Sequence, residues 1–352
     1  MVVQEPYWVG VSKFICVGNV EQFYTYIFVK AYKILLGNGM MKKAILWLIV
    51  SCLFSINAVA DIFGTGVNQF EIDFVTISGD TNPTSGSGIV SNDYRMGKFE
   101  ITNEQWDKFV NSYGTVTGSP SIAYDEGSTW TGANIPVNRV SWYEAAQFVN
   151  WLNVSTGHEA AYKFTGIQGT SDYAFSSWDI TDSGYNPNNP YRNSNSFYFL
   201  PTEDEWIKAA YWNGAAIQTY ATKAGDTLHQ GDGLSGTGWN YWDWDAGYAT
   251  DPYGPWNVGS GSEELNGTYD MMGNVSEMLE SPFSDEFLFD SMRDFKGGSY
   301  WDHDGILLSS FKGDTFPDYE NLILGFRVAS VPEPATLSLV VLGGLLLRRK
   351  RK

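Results

Sequence analysis

The sequence predicts an α+β fold that is rich in ordered loops and poor in regular secondary structure. Three features carry that expectation: a helix-start signal used three times, strand candidates that are few and short, and long polar stretches between them. Aromatic residues make up 16% of the chain and charged residues 18%, so the loops belong to a packed domain and not to a disordered one.

The first helix starts at Thr102-Asn103-Glu104-Gln105, ahead of Trp106, Phe109 and Val110. The second starts at Ser141-Trp142-Tyr143-Glu144, ahead of Ala145, Phe148, Val149 and Leu152, and is expected to end at Gly157. The third starts at Thr202-Glu203-Asp204-Glu205, ahead of Trp206, Ala209 and Ala210. Each start is a Ser/Thr-x-x-Glu/Gln capping box, in which a hydroxyl and a side-chain oxygen satisfy two free amides. The apolar residues that follow recur at helical spacing, so their aromatics are expected in the core. Strands are expected over 70–77, 94–101, 197–200 and 324–329. The stretches 79–93, 112–134, 165–195 and 222–264 are rich in Gly, Ser, Asn and Asp. Loops of that length need a restraint, and a bound metal is the expected one, because no disulfide is open to them.

The two ends read differently from the middle. Met41-Lys42-Lys43, an apolar run from Ala44 to Ile56, and Ala58-Val59-Ala60 form a signal peptide, with cleavage expected before Asp61. Residues 1–39 are then an over-extended start, 40–60 the leader and 61–330 the mature domain. A competing reading takes Ile49-Val50-Ser51-Cys52 as a lipoprotein box with a lipid on Cys52. At the other end, Val331-Pro332-Glu333-Pro334 precedes an apolar run to Leu347 and the basic cluster Arg348–Lys352. That span falls short of the roughly 20 residues of a comfortable membrane helix, and its basic end is expected to stay cytoplasmic. Residues 331–352 resemble a PEP-CTERM sorting signal. The resemblance implies handling by an exosortase, transient anchoring in the inner membrane, and a final place at the surface or in the matrix of a Gram-negative bacterium.

Without the two ends, 12 basic and 37 acidic residues remain, a net charge of −25. Such a surface excludes nucleic acid and anionic lipid as partners and suits cations or neutral ligands. Both cysteines, Cys16 and Cys52, lie before residue 61, so the mature chain is expected to hold no thiol, disulfide or thiolate metal site.

Six motifs in order identify a family resemblance over about residues 72–330. They are Met96-Gly97-Lys98-Phe99-Glu100-Ile101-Thr102-Asn103, Pro136–Trp142, Leu200-Pro201-Thr202-Glu203-Asp204-Glu205-Trp206, Gly267–Val275, Lys296-Gly297-Gly298-Ser299-Tyr300, and Gly325-Phe326-Arg327. Together they resemble the formylglycine-generating enzyme, or sulfatase-modifying factor, family. The resemblance implies a compact fold of mixed strands and helices related to C-type lectins. The enzymes of that family bind copper(I) through two cysteines, because soft thiolates select that ion. The corresponding positions fall at about Leu307 and Lys312, so copper and the oxidase activity are expected to be absent. Phe199 stands where the family has Arg, and Ser276 and Met278 where tryptophans are common.

The same resemblance implies calcium at two places. One site maps to Asp270, the Gly273 and Val275 carbonyls, and Glu277; the other to Asn240, the Tyr241 carbonyl, Asp251 and the Tyr253 carbonyl. All-oxygen ligation suits this hard cation. His158, His229 and His303 are expected as solvated loop residues. The function these readings predict is an exported, non-catalytic surface or matrix module on a calcium-supported scaffold. Its partner would be a glycan, a matrix polymer or a protein, and the Trp239–Trp244 stretch is the expected binding surface. The alternative is an oxidoreductase of the formylglycine-generating or non-haem iron type.

Overall fold

The computed structural model describes residues 59–234, 236–283 and 292–332. The expected over-extended start, most of the leader, Cys16, Cys52 and nearly all of the sorting tail lie outside the described residues.

Among the described residues, thirteen short strands and three α-helices follow the order β1 (Val59–Phe63), β2 (Phe70–Ile77), β3 (Tyr94–Gly97), α1 (Asn103–Tyr113), α2 (Trp142–Ser155), β4 (Lys163–Thr165), β5 (Ala174–Ser176), β6 (Tyr198–Phe199), α3 (Glu203–Tyr211), β7 (Trp242–Asp243), β8 (Gly247–Tyr248), β9 (Ser276–Pro282), β10 (Arg293–Lys296), β11 (Gly313–Thr315), β12 (Leu324–Gly325) and β13 (Ala329–Ser330). All three capping boxes form as the sequence predicts. Thr102, Ser141 and Thr202 each accept the amide of the third residue of their helix, and that residue's side chain accepts the cap amide in return. Each such cap stabilises its helix by roughly 1 kcal/mol. Gly157 takes φ +86 just after α2, the left-handed turn that closes it.

Five strands form one sheet in the order β1-β2-β3-β13-β6, and four form a second in the order β11-β10-β9-β12. Two hairpin-like pairs, β4-β5 and β7-β8, stand apart. The pairing of β2 runs from Phe74 opposite Gly97 to Ile77 opposite Tyr94. Its Phe70, Ile72 and Phe74 pack with Phe109, Trp142, Phe148 and Tyr198 in one core. On the other face, Val75 and Ile77 join Met96, Trp206, Tyr211 and Leu307 in a second core. Burial on both faces, at about 1.5–3 kcal/mol per large side chain, makes β2 the wall between the cores.

Two strand expectations need correction. The segment 94–101 leaves the ladder after Gly97, and Glu100 turns inward to bond the Val275 amide. The segment 324–329 is two strands in two sheets. Between them the Phe326 carbonyl accepts from Ile101 N–H and the Val328 carbonyl from Gly97 N–H, so Arg327 sits at the crossover.

The long loops are restrained by side chains bonded to backbone. Lys208 of α3 reaches Asn82 Oδ1 at 2.9 Å and the Val90 carbonyl at 2.6 Å, while Asp204 accepts the Gly88 amide. Asn103 and Asn138 hold the Trp130 turn, and Trp178 donates to the Ala161 carbonyl. Gln230 spans the Tyr241 and Gly247 carbonyls. Each such bond contributes about 1 kcal/mol to holding the loops in place.

Candidate functional site

The turn before β9 and the crossover before β13 place four buried carboxylates around one guanidinium. Asp270 and Asn274 adopt φ of +59 and +62, unusual outside glycine, and Gly273 takes +79. A Cβ on Gly273 would meet the Asn240 carbonyl at 2.1 Å, so only glycine fits there. This tight turn points the Val275 amide and the Asn274 carboxamide at Glu100, at 3.1 and 2.7 Å. Glu264 accepts the Met271 and Met272 amides at 2.9 and 3.0 Å. Asp270 accepts the Gly259 amide at 2.6 Å. Glu277 pairs with Arg327 through both oxygens and accepts the Trp206 indole N–H at 2.7 Å.

Desolvation sets the protonation of this cluster. Burial pushes Glu264 up to about 8, opposed by the Arg327 charge and the Met271 amide. Burial likewise lifts Asp270 to about 6, against the Gly259 amide and Arg327. Glu100 rises well above the carboxylate range through burial first and then through Asp270 and Glu277. One fixed guanidinium thus serves several acids, some of which shed their charge.

For the first expected calcium site, the donor types fit in part. Asp270 and the Gly273 and Val275 carbonyls are hard oxygen donors in one turn. Glu277 does not fit as a ligand, because the Arg327 guanidinium already holds both of its oxygens and would repel a cation. At the second expected site, Asn240 donates to the Gly254 carbonyl and the Asn274 carboxamide, and Gln230 takes the Tyr241 carbonyl. Asp251 and Tyr253 are exposed in the loop that follows. Among the described residues, no three Asp, Glu, His or Cys side chains converge as a metal site.

The Trp239–Trp244 stretch runs from the core to the surface. Trp239, Asn240 and Tyr241 are buried in the core, whereas Trp244 is 70% exposed. Tyr253 and Trp301 are also exposed, and the half-buried Tyr248 and Trp130 pack beside them. Tyr253 stacks on Tyr248 with centroids 4.7 Å apart, and Trp301 meets both at 5.4 and 5.5 Å. Trp130 meets Tyr253 at 6.3 Å, and Trp244 meets Trp242 at 4.4 Å and His303 at 5.5 Å. The Trp242 amide donates to the Asp302 carbonyl at 2.9 Å and joins the two loops. Sequence reading missed Trp301, Tyr248 and Trp130; the aromatic residue after Gly-Gly-Ser-Tyr was the one available signal. Beside this array lies a cleft of about 720 Å³ lined by Tyr220, Tyr241, Asp226, Asp243 and Asp304 among others.

The match to a family model settles the chain's relatives. Residues 66–331 match the sulfatase-modifying factor enzyme 1-like domain. The chain belongs to that family. It is 25% identical over 264 residues to the chaperone protein LppX of Paenibacillus barcinonensis, covering 67% of this chain and 80% of that one. Among solved structures, Treponema denticola variable protein 1 is similar at a TM-score of 0.51 and 22% identity, over 78% of this chain and 99% of its own. The crystal structure of CarF is similar at 0.52 and 22% identity, over 74% and 99%. Both likenesses are of fold.

Within this sulfatase-modifying factor domain, the positions expected for cysteine ligands hold other chemistry. Leu307 is fully buried, and its carbonyl accepts the Tyr211 hydroxyl at 2.8 Å. Lys312 is exposed and lies 3.7 Å from Glu203. At position 199, where the family resemblance has arginine, the Phe199 ring is buried and carries a guanidinium on its face. Arg192 stacks on the Phe199 ring at 3.7 Å and bridges Glu205 at 2.8 Å and Glu280 at 2.9 Å. His158, His229 and His303 occupy three separate loops, His158 stacked on Phe197.

Proposed function

We propose that this chain is an exported, non-catalytic binding module on the sulfatase-modifying factor fold, shown to its partner at the cell surface or in the surrounding matrix. The observation that carries the reading is the set of exposed rings Trp244, Trp301 and Tyr253, with the half-buried Tyr248 packed against the last two. Exposed aromatic rings gathered by neighbouring loops on a domain with two filled cores mark an interaction surface. The chemistry at Leu307 and Lys312 supports the same reading, since neither side chain can act as a thiolate. The oxidoreductase alternative would need thiolates or converging histidines. Signal peptidase would remove the leader before Asp61, and an exosortase would process the tail at Pro332-Glu333-Pro334. Calcium belongs to this proposal through Asp270 and its neighbouring carbonyls, without Glu277.

The purified chain, given copper(I), oxygen and a cysteine-containing sulfatase peptide, is expected to form no aldehyde above the protein-free control. Turnover that persists after removal of adventitious metal would overturn the non-catalytic reading.

A further inference from the structure

We infer that the cleft beside the ring array binds a neutral hexose unit of a polysaccharide, with adjoining units stacked on Trp244 and Trp301. This rests on the binding-module reading and names its ligand class. At about 720 Å³, the cleft lies within the roughly 300–1,000 Å³ typical of small-ligand pockets. It is continuous with the array along the chain. Asp243 lines the cleft and precedes Trp244; Asp304 lines it and follows His303, the ring against Trp244.

The chemistry of the lining narrows the ligand. Carboxylates at Asp226, Asp243 and Asp304 accept hydrogen bonds from hydroxyl groups, and none of the lining residues is Lys or Arg. The Tyr220 hydroxyl and the Asp304 carboxylate line the same cleft. Phosphate, sulfate and uronate are repelled from such a wall. Exposed indoles offer flat faces of negative potential, and the axial C–H bonds of a pyranose carry the complementary positive edge. Trp244 is 70% exposed and Trp301 48%. A sugar polymer matches both features at once. Its hydroxyl groups meet the acids in the cleft while its apolar faces cover the rings.

The test uses the full chain in a polyoxyethylene detergent, which has no sugar headgroup. Tryptophan fluorescence is followed on adding a soluble β-glucan, a galactomannan or dextran, with alginate and polylysine as anionic and cationic comparators. At least one neutral polymer is expected to bind with little dependence on salt. Trp244→Ala and Trp301→Ala are each expected to weaken that binding about tenfold or more, and Asp304→Asn to weaken it less. Both indoles are exposed, so unchanged melting curves are expected to show that the variants fold. Binding of polylysine or alginate alone, or neutral binding untouched by both Trp variants, would overturn the inference. Retention of the chain on the source cell surface is measured in parallel. If Trp244→Ala/Trp301→Ala abolishes retention while no neutral polymer binds, the ligand class is wrong and the binding-module reading stands. If retention is unaffected as well, both fail.

Discussion

Arg327 lies fully buried against Glu277, with Glu100, Glu264 and Asp270 close enough to feel its charge. Removing one partner of a buried pair strands the other charge and costs about 3–5 kcal/mol. Arg327→Met is therefore expected to abolish cooperative folding or lower the melting temperature severely. Arg327→Met/Glu277→Gln is expected to recover part of the loss, as read by denaturant titration; a double variant no better than the single one would show that the pair is not the source. The motifs made both residues visible in the sequence. Their pairing was not visible, because 50 residues separate them and no periodicity links a strand to a crossover. That is why Glu277, bracketed with Asp270 by a tight turn, reads as a metal ligand and folds as an ion-pair partner.

At the scale of elements, local signals were legible and long-range ones were not. Capping boxes act within four residues, so α1, α2 and α3 could be placed from sequence alone. Strand β9 escaped because Glu277 and Glu280 are buried in it, each bound by an arginine, and the alternation of apolar and polar residues is hidden. Arg192 was equally unforeseeable, since a loop residue far from Glu280 in sequence pairs with it and stacks on Phe199. The edge of the second sheet carries a prediction of its own. Asp294 of β10 lies directly opposite Asp314 of β11, a pairing of like charges that opposes the ladder. Burial first, and then Glu203, push Asp294 up to about 7, against the pull of Lys296 and Lys312. The unfolded value is about 3.9, so the native state binds more protons between those limits. The stabilising contribution is full below about pH 4 and lost as pH rises through about 7. Asp294→Asn is expected to raise the melting temperature more at pH 8 than at pH 5. An equal shift at both values would mean that Asp294 does not titrate in this window.

For the whole molecule, the question is how a domain with so little regular structure holds its shape. Amide and lysine side chains pin the loops, and two cores share β2 as a wall. Calcium, where it binds, adds to a frame that is already restrained. Extracellular calcium modules bind at roughly 10⁻⁴ to 10⁻³ M. In about 2 mM calcium that affinity contributes roughly 0.6–1.8 kcal/mol, or a few degrees in melting temperature for a domain of this size. Chelation is expected to remove that increment, and Asp270→Asn to abolish the response to chelator. Glu277→Gln is expected to lower the melting point equally with and without chelator. A chelator response that survives Asp270→Asn would place the ion elsewhere. Intact-mass analysis of chain from the source cells is expected to show Asp61 as the first residue and loss of the tail near Pro332. A species retaining residues 1–39 would overturn the expected start.

The first strand carries a consequence for timing. Val59 and Ala60 pair with Phe74 and Asp73, and the Asp61 carboxylate is clasped by Arg95 at 2.6 and 2.9 Å and by the Tyr198 hydroxyl at 2.8 Å. A leader cut between Ala60 and Asp61 would therefore fall inside a completed ladder. A peptidase needs that segment unpaired, so a cut at the expected position would have to come before β1 zips onto β2. Maturation would then be a race with a single permitted winner: a chain that folded before it was cut would hide its own scissile bond in the sheet edge.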